Sequence, residues 1–218
     1  MVTKQTLYDL EADSIHIWRI DLNGPIDALA ELLSPEELRK AEAKLKANGR
    51  ERSIRARGAM RSILGNYLGV SGDKLVFNQG DKGKPSISQS NSAIEFNLTH
   101  CEDLALLAVA KTVPVGIDLE RIRSSPSLLK IAQRVFSNQI YKELEQLPSS
   151  ELDKAFFHHW TELEACIKCA GSGIFSYECK PNGVTSTHFT PQDGWIACLA
   201  AKERDITTME LKHFVYMY

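Results

Sequence analysis

No stretch of this chain of 218 residues approaches the roughly 20 consecutive apolar residues of a membrane-spanning helix, which sets a membrane protein aside. Charge of one sign is missing too. Lys and Arg number 26 against 28 Asp and Glu, a net charge of −2, so no global field attracts nucleic acid or an anionic membrane. Five cysteines are an odd number without compact spacing, and they point to reduced thiols and a cytoplasmic setting. Cys166 and Cys169 form a lone C-x-x-C inside a helical pattern, read as packed thiols because no second pair completes a zinc site. Met1 to Gln5 carry no signal-peptide core, and no repeat or low-complexity segment is present. What remains is an ordinary globular composition, 43% hydrophobic and 25% charged, long enough for one large domain or two small ones.

Within it, Val115-Gly116-Ile117-Asp118-Leu119-Glu120 reads as an apolar strand that ends in acids. Strand side chains repeat with period two, so Asp118 and Glu120 share a face. Two neighbouring carboxylates repel unless something positive lies between them; taken alone, the pair reads as a solvated strand end. A third acid, Glu164, lies in Trp160-Thr161-Glu162-Leu163-Glu164-Ala165-Cys166-Ile167-Lys168. Three carboxylates with open positions suit a hard cation such as Mg²⁺. Glu164 and Lys168 are four apart, the spacing of a surface ion pair on a helix.

Along the chain, Ser14–Leu22 alternates as a strand, with His16 on its polar side and expected at the surface. A helix is expected over Ile26–Leu33. Ser34, Pro35 and Glu37 then form a capping box that opens a second helix. From Arg39 to Arg61 nine basic residues gather with few interleaved acids, and a helix over Arg50–Leu68 gives them one basic face. Such a face suits a polyanion, since guanidinium binds phosphate bidentately. Short strands follow at Leu75–Phe77 and Ile94–His100, around a turn-rich loop at Gly80–Pro85. Beyond the acidic strand, helices are expected over Pro126–Val135, Gln139–Leu147 (capped by Ser137) and Glu151–Ala170, the last ended by Gly171-Ser172-Gly173. The rest has strand character at Trp195–Ala201 and His213–Tyr216.

Taken together, these segments resemble the Sfp-type 4'-phosphopantetheinyl transferases. The resemblance rests on Ala56-Arg57-Gly58-x-x-Arg61, Gly83-Lys84-Pro85, Asn97-Leu98-Thr99-His100, Gly116-Ile117-Asp118-Leu119-Glu120, Phe136-Ser137 and Trp160-Thr161-x-x-Glu164-Ala165-x-x-Lys168, in family order. It implies an α+β fold of two similar subdomains, residues 1–113 and 114–218. Each would have a small antiparallel sheet and a long helix, in pseudo-twofold arrangement with the active site in the cleft. It implies transfer of 4'-phosphopantetheine from coenzyme A to a serine of an acyl or peptidyl carrier protein, by a monomer without nucleic acid or membrane. Asp118, Glu120 and Glu164 would bind Mg²⁺. Lys40, Arg52, Ser53, Lys84, Thr99 and His100 would hold coenzyme A, with His100 on the 3′-phosphate. Glu164 and Lys168 would be catalytic, Glu164 as base and Lys168 on the pyrophosphate. The chain departs from the family pattern at Leu163, where a lysine is usual, and at Glu37, where a lysine can contact the nucleotide. The departure at Leu163 motivates the alternative of a coenzyme A-binding homologue with reduced or lost transfer activity.

Overall fold

A computed structural model describes residues 8–80, 84–88, 93–171 and 181–218. Residues 1–5, the loop residues Asp81, Lys82 and Gly83, and the helix stop Ser172-Gly173 lie outside the described residues. The fold is mixed α+β. Strands β1 (Ser14–Asp21), β4 (Ile94–Cys101), β5 (Leu104–Lys111) and β9 (Glu210–Val215) form one sheet in the order β4-β5-β1-β9. A second sheet has β6 (Val115–Arg121), β8 (Trp195–Lys202) and β7 (Val184–Phe189) in the order β6-β8-β7. A small hairpin joins β2 (Phe77–Gln79) to β3 (Pro85–Ile87).

The period of two decides the layering. From β1 and β5, Ile15, Ile17, Leu106 and Ala108 meet Val115, Ile117, Leu119, Ala197 and Leu199 of the second sheet in one buried core. The opposite faces take the helices. Trp18, Ile20, Leu107 and Val109 pack on Ala59, Met60, Ile63 and Leu64 of α3 (Ala47–Leu68). Cys198 and Ala200 pack on Ala165, Cys166 and Cys169 of α6 (Ser149–Ala170). Two 22-residue helices therefore flank two stacked sheets. Central strands β5 and β8 are covered on both faces, which is why they are almost wholly apolar. Smaller helices are α1 (Asp27–Ala30), α2 (Pro35–Glu42), α4 (Leu128–Val135) and α5 (Asn138–Glu145); α4 and α5 cover the N-terminal half of α6 through Leu128, Leu144, Phe156 and Phe157. None of the described helices is long and apolar enough to cross a membrane.

Local signals acted as expected at several points. The Ser34 hydroxyl accepts from the Glu37 N–H and the Glu37 carboxylate accepts from the Ser34 N–H, a complete capping box. Ser137 caps α5 through the Ile140 N–H. Gly69 and Gly171 end the two long helices in left-handed conformation. Cys166 and Cys169 are buried, and burial pushes the Cys169 thiol up to about 12.

Four expectations are corrected. The first sheet is not wholly antiparallel, because the last strand crosses back and pairs parallel to β1. A division at residue 113 thus leaves β9 hydrogen-bonded into the N-terminal sheet. The helix over Ile26–Leu33 shrinks to Asp27–Ala30, since the next turn closes by three-residue bonds from Leu32 to Leu29 and Leu33 to Ala30. The strand near Leu75 starts only at Phe77, because the buried Leu75 ends a 3₁₀ turn. His16 is 2% exposed, not at the surface. β1 is covered on both faces, so its alternation marks no solvent side. The His16 Nδ1 and the Tyr67 hydroxyl share a hydrogen bond at 2.6 Å, and that hydroxyl also receives the Trp18 indole N–H at 2.9 Å.

Candidate active site

The acidic strand β6 is an edge strand, and its even positions Gly116, Asp118 and Glu120 turn toward α6. Gly116 sets the spacing. A Cβ there would stand 2.1 Å from the Ala165 carbonyl oxygen and 2.3 Å from the Cys169 nitrogen, so only glycine lets the helix lie directly on the strand. That close approach brings the C-terminal half of α6 over the next two pleats. Lys168 Nζ donates to Asp118 Oδ1 at 2.5 Å and to Thr99 Oγ1 at 3.4 Å, while Thr99 donates to the same carboxylate oxygen at 3.2 Å. Thr99 arrives from β4, the edge strand of the other sheet. Asn97, two residues earlier on the same face, accepts from the Ile117 N–H at 2.9 Å and fixes the edges together.

Asp118 is 5% exposed, and its second oxygen, Oδ2, is buried without a hydrogen-bond partner among the described residues. A buried carboxylate oxygen left unpaired is costly. Glu120 and Glu164 are part-buried in the same field. Burial raises the Glu120 carboxyl above its ordinary range and the Asp118 charge raises it further, against Arg123 at 3.2 Å and the Cys101 thiol. For Glu164, burial again raises the pKa; Lys168 opposes, and Asp118 and Glu120 add to the rise. The three acids thus share one region and repel one another. Their oxygens are not drawn into a tight ligand cluster: among the described residues, the trio of ligating side chains within 4.8 Å of one another lies elsewhere, on the other face of α6.

Next to this acidic centre, α3 stands off from β4. A cavity of about 280 Å³ opens between Lys44, Ser53 and Arg57 on one side and Asn97 and His100 on the other. A larger one of about 720 Å³ adjoins it, reaching Lys40, Asp73, Phe77 and Pro85 and sharing Lys44, Ser53 and Arg57. His100 opens to solvent at its tip. Desolvation by the cleft walls lowers its pKa, and the charges of Lys44, Lys168, Arg52 and Arg57 lower it further. Four cations thus converge on one imidazole, an arrangement that invites an anion.

The structure therefore brings together Asp118, Glu120, Glu164, Lys168 and Thr99 in one group, and Lys40, Arg52, Ser53 and His100 in the adjoining one. Lys84 stands apart. Its ammonium donates to the Val115 and Cys169 carbonyls at 3.0 and 3.4 Å, a bridge between the two halves, and burial lowers its pKa. Glu164 and Lys168 are not the surface pair their spacing suggests, because Lys168 reaches Asp118. The basic run is also less uniform than its composition. Lys40 pairs with Glu36 and Arg55 with Glu51. Arg61 is buried, with Glu37 at 2.7 Å, the Gly72 and Leu75 carbonyls, and the Phe77 ring 5.0 Å from its guanidinium carbon. Glu37 thus serves the cap and Arg61. Lys44, Arg57 and Asn97 were not singled out as site residues. The signals were present: Ser53 and Arg57 are four apart on a helix, and Asn97 and Thr99 are two apart on a strand.

Residues 114–205 match the 4'-phosphopantetheinyl transferase superfamily. The chain is 40% identical over 174 residues to the 4'-phosphopantetheinyl transferase HetI of Nostoc sp., which covers 78% of this chain and 73% of that protein. It is 28% identical over 142 residues to the 4'-phosphopantetheinyl transferase Sfp of Bacillus subtilis, covering 65% and 62%. The L-aminoadipate-semialdehyde dehydrogenase-phosphopantetheinyl transferase of Rattus norvegicus is 26% identical over 153 residues, covering 65% of this chain and 49% of that one. The whole second sheet, with the acidic strand β6, and the helix α6 laid on it fall inside the matched segment, and the relatives extend the likeness beyond it: this chain belongs to the 4'-phosphopantetheinyl transferase superfamily.

Proposed function

We propose that the protein transfers the 4'-phosphopantetheine group of coenzyme A to a serine hydroxyl of an acyl or peptidyl carrier protein. One observation carries the reading. Asp118 presents a buried, unpartnered oxygen beside two acids of raised pKa, and a cavity ringed by Lys44, Arg57 and His100 lies within reach of the same Lys168. Acids that need a cation and cations that need an anion stand side by side, the complement of a metal-bound diphosphate.

The donor set fits Mg²⁺: three hard carboxylates, one with an orphaned oxygen. Asp118, Glu120 and Glu164 would hold it, and when bound it supplies neutralisation of charge on the diphosphate. The chain's own side chains do the rest. Lys168 orients Asp118 through Oδ1 and sets its positive charge beside the pyrophosphate. Arg52, Arg57, Lys44 and His100 take the nucleotide phosphates, with His100 on the 3′-phosphate; Lys40 and Ser53 line the path of the nucleotide. Lys84 acts on this site by fixing the seam on which it sits. Glu164 accepts the proton of the carrier serine. The serine oxygen then bonds to the pantetheine-side phosphorus as the bond to the adenosine bisphosphate breaks. Residues up to 113 would form the coenzyme A wall and residues from 114 the acidic wall, two halves related by a pseudo-twofold axis. A single chain then supplies both walls, and a monomer suffices.

A second reading rests on Leu163. Leucine immediately before Glu164 cannot donate to phosphate, and a coenzyme A-binding homologue of reduced or lost transfer activity follows from it. Against it, Lys168 already delivers an ammonium to Asp118. Incubation with coenzyme A, Mg²⁺ and a panel of apo carrier proteins separates the two. A mass gain of one phosphopantetheine on a carrier supports transfer; coenzyme A binding with no gain on any carrier supports the second reading.

A further inference from the structure

A second group of ligating side chains occupies the face of α6 that looks toward β7, across the sheet from β6. His158, His159 and Glu162 each place a ligand atom within 4.8 Å of the others; His158 is exposed, the other two half-buried. They stand at positions i, i+1 and i+4 of one long helix, so the backbone holds their origins fixed. Strand β7 supports them. The Ser186 hydroxyl donates to Glu162 Oε1 at 2.7 Å. The His188 ring stacks on His158 with centroids 3.6 Å apart and planes at 20°, and its Nε2 lies 3.0 Å from the His158 carbonyl oxygen. Metal ligands are oriented by outer contacts of this kind.

Two imidazole nitrogens and one carboxylate oxygen are a donor set that Mg²⁺ and Ca²⁺ neglect and that Zn²⁺, Ni²⁺ and Cu²⁺ favour. We infer that His158, His159 and Glu162 form a transition-metal site, separate from the acidic centre on β6, that takes Zn²⁺ with solvent in the fourth position. Bonds of about 2.0–2.1 Å place tetrahedral ligands about 3.4 Å apart, against the 4.8 Å within which these atoms already lie. Nothing in the inference uses the transferase residues, so it stands or falls apart from that reading.

The test is a competition titration of the full chain with Zn²⁺ in excess Mg²⁺. One Zn²⁺ per chain is expected to be retained. His159→Gln and Glu162→Gln should each weaken it by more than the roughly 10–100-fold that loss of an outer contact costs. His158→Gln, at an exposed position that the fold tolerates, gives the same readout should either of the others fail to fold. Cu²⁺ in the wild type should show nitrogen hyperfine coupling that falls in His158→Gln. No Zn²⁺ retained against Mg²⁺, unchanged affinity in His158→Gln, or loss of Zn²⁺ in Asp118→Asn instead would each overturn the site.

Discussion

The two long helices do the same architectural job and opposite chemical ones. Each covers the outer face of a sheet. Helix α6 lies on its strand at backbone contact, because Gly116 has no side chain to hold it away; its Lys168 therefore touches the strand acid directly. The N-terminal half of α3 stands off from β4, and the gap becomes a basic cavity. Contact brings charges together for chemistry, and distance leaves room for a ligand. The spacing of a helix over a sheet edge, more than its own sequence, decides which of the two it provides.

The largest effect should come from closing the tighter of the two contacts. Gly116→Ala drives a methyl into the backbone of α6, where neither partner is a flexible side-chain end, and overpacking of this kind costs about 3 kcal/mol or more. A clear fall in melting temperature, with transfer lost, is expected; wild-type stability would show that the contact does not set the spacing. Next comes the charge that the contact delivers. Asp118→Asn should reduce Mg²⁺-dependent transfer at least a hundredfold with the fold retained. Asp118→Ala is a poorer probe than an open, wet ligand position would make it: the side chain is nearly buried and pairs with Lys168, so its removal leaves an unpaired ammonium and costs roughly 3 kcal/mol. Near-normal rate in the asparagine variant would break the acidic half of the comparison.

On the cavity side, Arg57→Ala should raise the KM for coenzyme A about tenfold, the loss of one charge-assisted contact, with kcat little changed and the stability kept. A fall in kcat at constant KM would place Arg57 in the chemistry instead. The smallest effect is on stability against pH. The folded state raises the Glu120 and Glu164 pKa values, so it holds those protons more tightly than the unfolded chain. Their contribution is present at acidic pH and lost as pH rises through the raised values. A divalent cation held by the same acids would replace the lost protons. Mg²⁺ should therefore raise the melting temperature by a few degrees near neutral pH and have little effect below the ordinary glutamate range, a pattern readable by thermal scans with and without chelator.

How much was legible in sequence follows from the range of each signal. Caps, turns and periodicity are local, and Ser34, Ser137, β6 and α6 formed where they said. That Asp118, Glu120 and Glu164 lie in one another's field was reachable because period two on a strand and a family pattern on a helix both pointed at it. What escaped depends on neighbours distant in the chain. His16 looked polar-facing because alternation cannot reveal that both faces of β1 are covered. Arg61 looked like part of a phosphate-binding run because nothing local tells that Glu37, Gly72 and Leu75 fold around it. Lys84 fits the family pattern by residue type, yet its ammonium is held by carbonyls of Val115 and Cys169, 31 and 85 residues away. β9 returned to the first sheet for the same reason: strand character is local, but strand partnership is not.

The claim on which the account turns is that the acids of β6 and α6 would hold one divalent cation beside the diphosphate of coenzyme A. Electron–nuclear double resonance on the Mn²⁺-loaded protein reads that arrangement directly. Phosphorus coupling to Mn²⁺ should appear when coenzyme A is added and vanish in Asp118→Asn. Mn²⁺ bound without phosphorus coupling in the wild type, or coupling unchanged in the variant, would contradict it.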